Sequence, residues 1–136
     1  MVMVAKADLA SGAVAGDAAM IHAGLKAFAK IADLWGLKNA AAAELLDVEP
    51  RTWTRMKNGS WSGRLTQDQT LRLSTIIGLY KGLHLYFSDA LADRWVGLVN
   101  SGPPFMGQAP LDYCRAGGLP ALLATRSYVD ALRGGL

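Results

Sequence analysis

Between positions 50 and 72 the chain sets Arg51, Arg55, Lys57, Arg64 and Arg72 against a single acid, Asp68. The formal charge of all 136 residues is only +3, so this local concentration says more about partners than the whole-chain value does. Arg51, Thr54, Arg55 and Lys57, with Glu49, form the polar face of a short amphipathic segment. An arginine fork matches the two major-groove acceptors of guanine, and a lysine ammonium suits a phosphate, so these four are the candidate DNA contacts. A helical hairpin with a merely solvated basic face is the alternative, and the density of basic residues argues against it.

Other chemistries lack the residues they need. His22 and His84 are far apart with no third ligand at fixed spacing, so no metal site is expected. Cys114 stands alone, which excludes an internal disulfide and a cysteine-cluster zinc site and fits a reducing, cytoplasmic setting. It has no evident histidine to activate it. Asp89, Asp93, Asp112 and Asp130 are spread out as caps or solvating charges, not as an acid–base pair. Neither Gly107 nor Gly117-Gly118 is followed by the Lys-Ser or Lys-Thr of a phosphate loop. The chain therefore reads as a non-enzyme with no catalytic residue, no metal and no cofactor, and its sequence holds no run long enough to cross a membrane.

The elements that must carry the basic face are helices. Leu25, Phe28, Ala29, Ala32 and Trp35 recur at three- and four-residue intervals up to Gly36. A short alanine-rich helix over 40–46 takes Asn39 as its N-cap, a turn follows at 47–49, and Pro50 opens a second short helix that Asn58-Gly59 stops. Ala42 and Ala43 are small where two helices would cross, and Leu46, Val48, Trp53 and Met56 supply buried positions: the pattern of a helix-turn-helix. Its turn usually wants glycine. Asp47 stands there, and aspartate tolerates the left-handed conformation better than most residues.

Thr66 caps a long helix with Leu73, Ile76, Ile77, Tyr80 and Leu83 on one face. A further helix follows Ser88, with Leu91, Trp95 and Leu98 turned inward. Residues 100–110 are rich in glycine and proline and form a loop. A helix from Pro110 then stops at Gly117-Gly118, and the last, from Leu119, turns Leu122, Leu123, Val129 and Leu132 inward. No stretch alternates with period two, so the fold class is all-α. The small, scattered side chains of residues 1–17 do not offset the entropy of ordering, so they read as a mobile leader.

The last third carries several motifs in a fixed order: Ala92-Asp93-Arg94-Trp95-Val96, then Asn100-Ser101-Gly102-Pro103-Pro104-Phe105, Gly107, Pro110-Leu111-Asp112 and Gly117-Gly118. It closes on Arg126-Ser127-Tyr128-Val129-Asp130-Ala131-Leu132-Arg133-Gly134-Gly135. This order resembles the Xre/MbcA/ParS antitoxins, whose pattern has a Trp-bearing helix, an Asn, an F-x-G-x-x-P-L loop and a tail like Y-L-D-A-x-R-G-G. The resemblance spans roughly residues 24–135.

It implies a type II antitoxin that binds a RES-domain, NAD-consuming toxin and occludes its active site. The toxin-binding residues it implies are Arg126, Tyr128, Asp130, Arg133, Gly134, Gly135 and Leu136. Operator DNA is the second implied partner, with autorepression of the operon and a homodimer or higher oligomer with toxin. The expected organisation is a flexible leader at 1–18, a helix-turn-helix region with its long connecting helix at 19–87, and a toxin-binding module at 88–136 packed against it. The competing reading is a stand-alone transcriptional regulator whose C-terminal module dimerises.

Overall fold

A computed structural model describes residues 2–134, with side chains from residue 18 onward. The described residues form six helices, α1 (Val2–Leu34), α2 (Asn39–Leu46), α3 (Pro50–Asn58), α4 (Gln67–Tyr86), α5 (Asp89–Trp95) and α6 (Pro110–Leu132), and no strand. The all-α class and the order of the helices follow the periodicity of the sequence.

Differences begin at the N-terminus. The stretch expected to be a flexible leader continues α1 back to Val2. Ala5, Ala7, Ala10, Ala13 and Ala15 are strong helix formers and outnumber Gly12 and Gly16, which weigh the other way. Asn39 is not the cap of α2: Lys38 holds the N-cap position, with extended backbone, and Asn39 is the first helical residue.

The helix α4 is the central strut, against which α1, α2, α5 and α6 all pack. Its Leu73, Ile76, Leu79 and Leu83 are buried, together with Leu25, Phe28, Ile31, Ala32 and Trp35 of α1. Beside them Ile77 and Tyr80 are half-buried. Leu98 and Leu123, expected inside, are exposed. Leu98 falls beyond the end of α5, where the periodicity that pointed it inward no longer holds, and the inner face of α6 is taken by Ala121, Leu122, Thr125 and Val129.

The second half of α6 runs alongside α4 in the same direction, Gly78 meeting Arg126 and Gly82 meeting Val129. A Cβ on Gly78 would lie 2.2 Å from an Arg126 guanidinium nitrogen, and one on Gly82 would lie 3.3 Å from Val129 Cγ1. The Arg126 guanidinium is the end of a flexible side chain and could swing away, so the tighter constraint on how closely the helices approach is Gly82 against Val129. To reach this seam α6 bends at Gly118, whose φ of 69° and ψ of −147° are open to glycine and strained for other residues. The expected break at Gly117-Gly118 is this bend.

Residues 96–109 form an irregular loop closed by one bridge: Asn100 N–H donates to Gln108 O (3.1 Å), and Gly107 N–H donates to Asn100 O (2.8 Å). Phe105 is fully buried beneath it, with Trp95 at 5.8 Å, Tyr113 at 5.4 Å and Tyr128 at 5.2 Å between ring centroids.

One side chain ties α4 to the helix pair. Gln69 Oε1 accepts from Thr66 N–H (2.9 Å) while Thr66 Oγ1 accepts from Gln69 N–H (3.0 Å), a reciprocal cap. Gln69 Nε2 then donates to Asp47 O (2.8 Å), in the α2–α3 turn. Replacing Gln69 with Ala is expected to lower the unfolding free energy by roughly 1–2 kcal/mol, measured by urea denaturation. Gln67→Ala, in the same turn, should stay within about 0.5 kcal/mol of the parent.

Candidate nucleic-acid interface

The turn between α2 and α3 adopts the conformation that aspartate was expected to tolerate: Asp47 has φ 60° and ψ 49°. Its N–H donates to Glu44 O (3.1 Å), and Val48 N–H donates to Ala43 O (3.0 Å), so the carbonyls at the end of α2 are satisfied. Pro50 takes the first helical position of α3, and Gly59 caps the other end. Below the pair, Ala42, Ala43, Leu46 and Trp53 are buried. The Trp53 ring packs on Phe28 of α1 with centroids 5.0 Å apart, which fixes the tilt of α3 against the body. Val48 is only partly buried.

The four candidate DNA contacts do not form one uniform face. Arg51, Thr54 and Arg55 are exposed on the outer side of α3, but the Thr54 hydroxyl already donates to Pro50 O (3.1 Å). Lys57 is turned toward the start of α2, where Nζ donates to Asn39 Oδ1 (2.7 Å). Asn58, which sequence reasoning treated only as a helix stop, belongs to α3. It sits three residues after Arg55 and seven after Arg51, on their side of the helix. The i, i+4, i+7 spacing from Arg51 was the available signal.

Two members of the basic segment also part company. Arg64 is exposed on the loop after α3. Arg72 is largely buried: it pairs with Asp68, donates toward Leu45 O (3.4 Å) and lies against the bend at Gly118. Its charge serves the fold, so the basic surface is smaller than the sequence implied.

At the C-terminal end Arg126, Asp130 and Arg133 meet on one face of α6. Asp130 pairs with Arg126 at 3.8 Å and with Arg133 at 3.3 Å. Tyr128 departs from them: it projects from the other side of α6, into the aromatic cluster, stacked on Trp95 with centroids 5.9 Å apart. Its ring is partly buried in that cluster, apart from the face that Arg126, Asp130 and Arg133 share. Gly134 has φ 77°, while Gly135 and Leu136 lie outside the described residues.

The remaining reactive side chains are occupied. Burial pushes the Cys114 thiol up to about 11, against the opposing effect of its hydrogen bond with Thr125, so it is not a nucleophile at neutral pH. Among the described residues no group of three acidic, histidine or cysteine side chains is placed to hold a metal, and no helix is long and apolar enough to cross a membrane.

Comparison with known proteins gives this geometry its context. Residues 18–78, which enclose the α2–α3 pair, match the antitoxin Xre-like helix-turn-helix domain. This chain carries a helix-turn-helix domain of that kind. It is also 35% identical over 120 residues to uncharacterized protein y4oB of Sinorhizobium fredii, a match covering 88% of this chain and 91% of that protein. No solved structure matches it. The family match and the structure agree on an all-helical protein whose N-terminal helix-turn-helix is followed by a helical C-terminal region.

Beyond the matched residues, the junction of α4 and α5 holds an acid–histidine clasp. His84 Nδ1 lies 2.9 Å from Asp89 Oδ1, and Nε2 lies 2.7 Å from Asp93 Oδ1. Only the imidazolium donates from both nitrogens. Partial burial works to lower the His84 pKa, but the hydrogen bonds and charges of Asp89 and Asp93 outweigh it, and the net shift is upward from 6.5. A raised folded-state pKa means the clasp contributes fully below about pH 6.5, and the contribution fades as pH rises through the folded value. Urea denaturation between about pH 6 and pH 9 should therefore show a loss of stability that is absent from His84→Gln. An equal decline in both proteins would assign it elsewhere.

Proposed function

We propose that this chain is the antitoxin of a type II toxin–antitoxin pair: it neutralises a RES-domain, NAD-consuming toxin by occluding its active site, and represses its own operon through the helix-turn-helix. The observation that carries the reading is the antitoxin Xre-like match over the residues that form α2 and α3, with Arg51 and Arg55 exposed on α3. Arginines on the exposed side of a helix docked in the major groove are suited to base acceptors and phosphates. The C-terminal motif order supports the toxin as partner.

In this reading Arg126, Asp130 and Arg133 face the toxin. Gly134, with its positive φ, redirects the chain just after Arg133, whose guanidinium is suited to pair with acidic groups in a narrow cleft. One recognition helix reads too few bases to be selective, so a dimer or a higher oligomer with toxin binds a symmetric operator. The protein acts in the cytoplasm, with no cofactor and no chemistry of its own.

Two experiments test the two halves. Arg51→Ala together with Arg55→Ala should abolish sequence-specific shifts of the DNA upstream of its own gene and flatten the salt dependence by about two slope units. Unchanged affinity would make the helix pair structural. Removing residues 133–136 should release toxin activity in a co-expression growth assay while operator binding persists. Full inhibition by the truncated chain would exclude a tail-in-cleft mode, and an adjacent gene encoding no toxin would favour a stand-alone regulator.

A further inference from the structure

The polar groups that end α3 carry one inference beyond the arginine pair. Asn58 is the last residue of α3, and at about 100° per residue Arg51, Arg55 and Asn58 fall within roughly 60° of arc. Asn58 Oδ1 accepts from Ser60 N–H (3.0 Å) and is 2.6 Å from Ser60 Oγ. A backbone N–H only donates, so the atom facing it must be the amide oxygen, which settles the orientation of the side chain. The hydroxyl can take the second lone pair, and what remains to face outward is the NH₂.

The same logic holds where α3 meets α2. Lys57 Nζ only donates, so at 2.7 Å it too must face the oxygen of the Asn39 amide. Both asparagines are exposed. Each spends its acceptor on an internal donor and turns N–H groups to solvent beside a cationic or guanidinium side chain.

We propose that Asn39 and Asn58 are contacts to DNA phosphates, held in donor-only orientation by the positioning residues Lys57 and Ser60. This rests on the DNA-binding reading above and adds to it two residues and the kind of contact they make. Bidentate recognition of adenine requires an asparagine to donate and accept together, and an amide whose oxygen is already engaged is poorly placed to do so. Phosphate oxygens ask only for donors. The positions agree: base edges are read mainly by the N-terminal part of a recognition helix, whereas Asn58 ends α3 and Asn39 belongs to the preceding helix. Phosphate contacts of this kind fix register without carrying sequence information.

The test is fluorescence anisotropy of the full chain with a labelled duplex from immediately upstream of its own reading frame and a scrambled duplex of equal length, over a salt series. Asn39→Ala and Asn58→Ala should each weaken both duplexes by about ten-fold, with the ratio between the duplexes unchanged. The slope of log affinity against log salt should also be unchanged, because a neutral donor displaces no counterion, whereas Lys57→Gln should make it shallower by about one. Ser60→Ala should give a smaller loss, equal on both duplexes. Asn58→Asp keeps an oxygen for Ser60, so it should melt like the parent yet bind more weakly than Asn58→Ala.

Affinities of Asn39→Ala and Asn58→Ala within about two-fold of the parent would overturn the proposal. So would losses confined to the upstream duplex, which would make these base contacts. A parent chain that binds neither duplex would bring down the DNA-binding reading itself, whereas normal parental binding with unaffected asparagine variants would remove only the phosphate contacts.

Discussion

The close passage of α6 along α4 at Gly78 and Gly82 is the contact on which the rest of the arrangement hangs. α4 buries Leu73, Ile76, Leu79 and Leu83, with α1 and α6 both packed along it. A Cβ at Gly82 would press on Val129 Cγ1, whereas one at Gly78 would meet only the movable end of Arg126. The bend at Gly118 follows from this seam, because the first half of α6 takes a different direction and meets α2 instead. Arg72, drawn in beside that bend and paired with Asp68, is the charge the geometry withdraws from the surface.

Through α4 the α2–α3 pair is connected to the second half of α6. Gln69, in the first turn of α4, bonds the α2–α3 turn, while Gly78 and Gly82, about two and a half to three and a half turns further on, lie against the helix that carries Arg126, Asp130 and Arg133. A second link runs from Arg115 of α6 to Glu44 of α2 at 2.6 Å. Both residues are substantially exposed, so this pair contributes little energy. Trp53 against Phe28 is the apolar counterpart, buried and correspondingly stronger.

Much of the helix-turn-helix was legible from residue order because its determinants are local. Pro50 supports a helix start through its own φ, Thr66 caps the next helix within one turn, and Asp47 needs only its own tolerance of a positive φ. The candidate partner residues were legible less evenly. Arg126, Asp130 and Arg133 share a face by helical spacing alone, whereas Tyr128 was grouped with them by motif order although its ring belongs with Trp95 and Phe105. Asn58 was missed because a residue that reads as a stop signal was not also weighed as part of a recognition face.

The sequence by itself determined the all-helical class, the helix pair with its exposed arginines, the break at Gly117-Gly118 and the absence of a metal-ligand pattern, since these follow from periodicity, capping and residue type over a few neighbouring positions. Only the tertiary structure decided which charges remain free. Arg72 is spent on Asp68 and the α6 bend, Lys57 is turned to Asn39, and Leu98 and Leu123 are left outside the core. Each of these outcomes depends on a residue far away in the chain or on where a helix ends, and helical spacing cannot say which neighbour will arrive to claim a face.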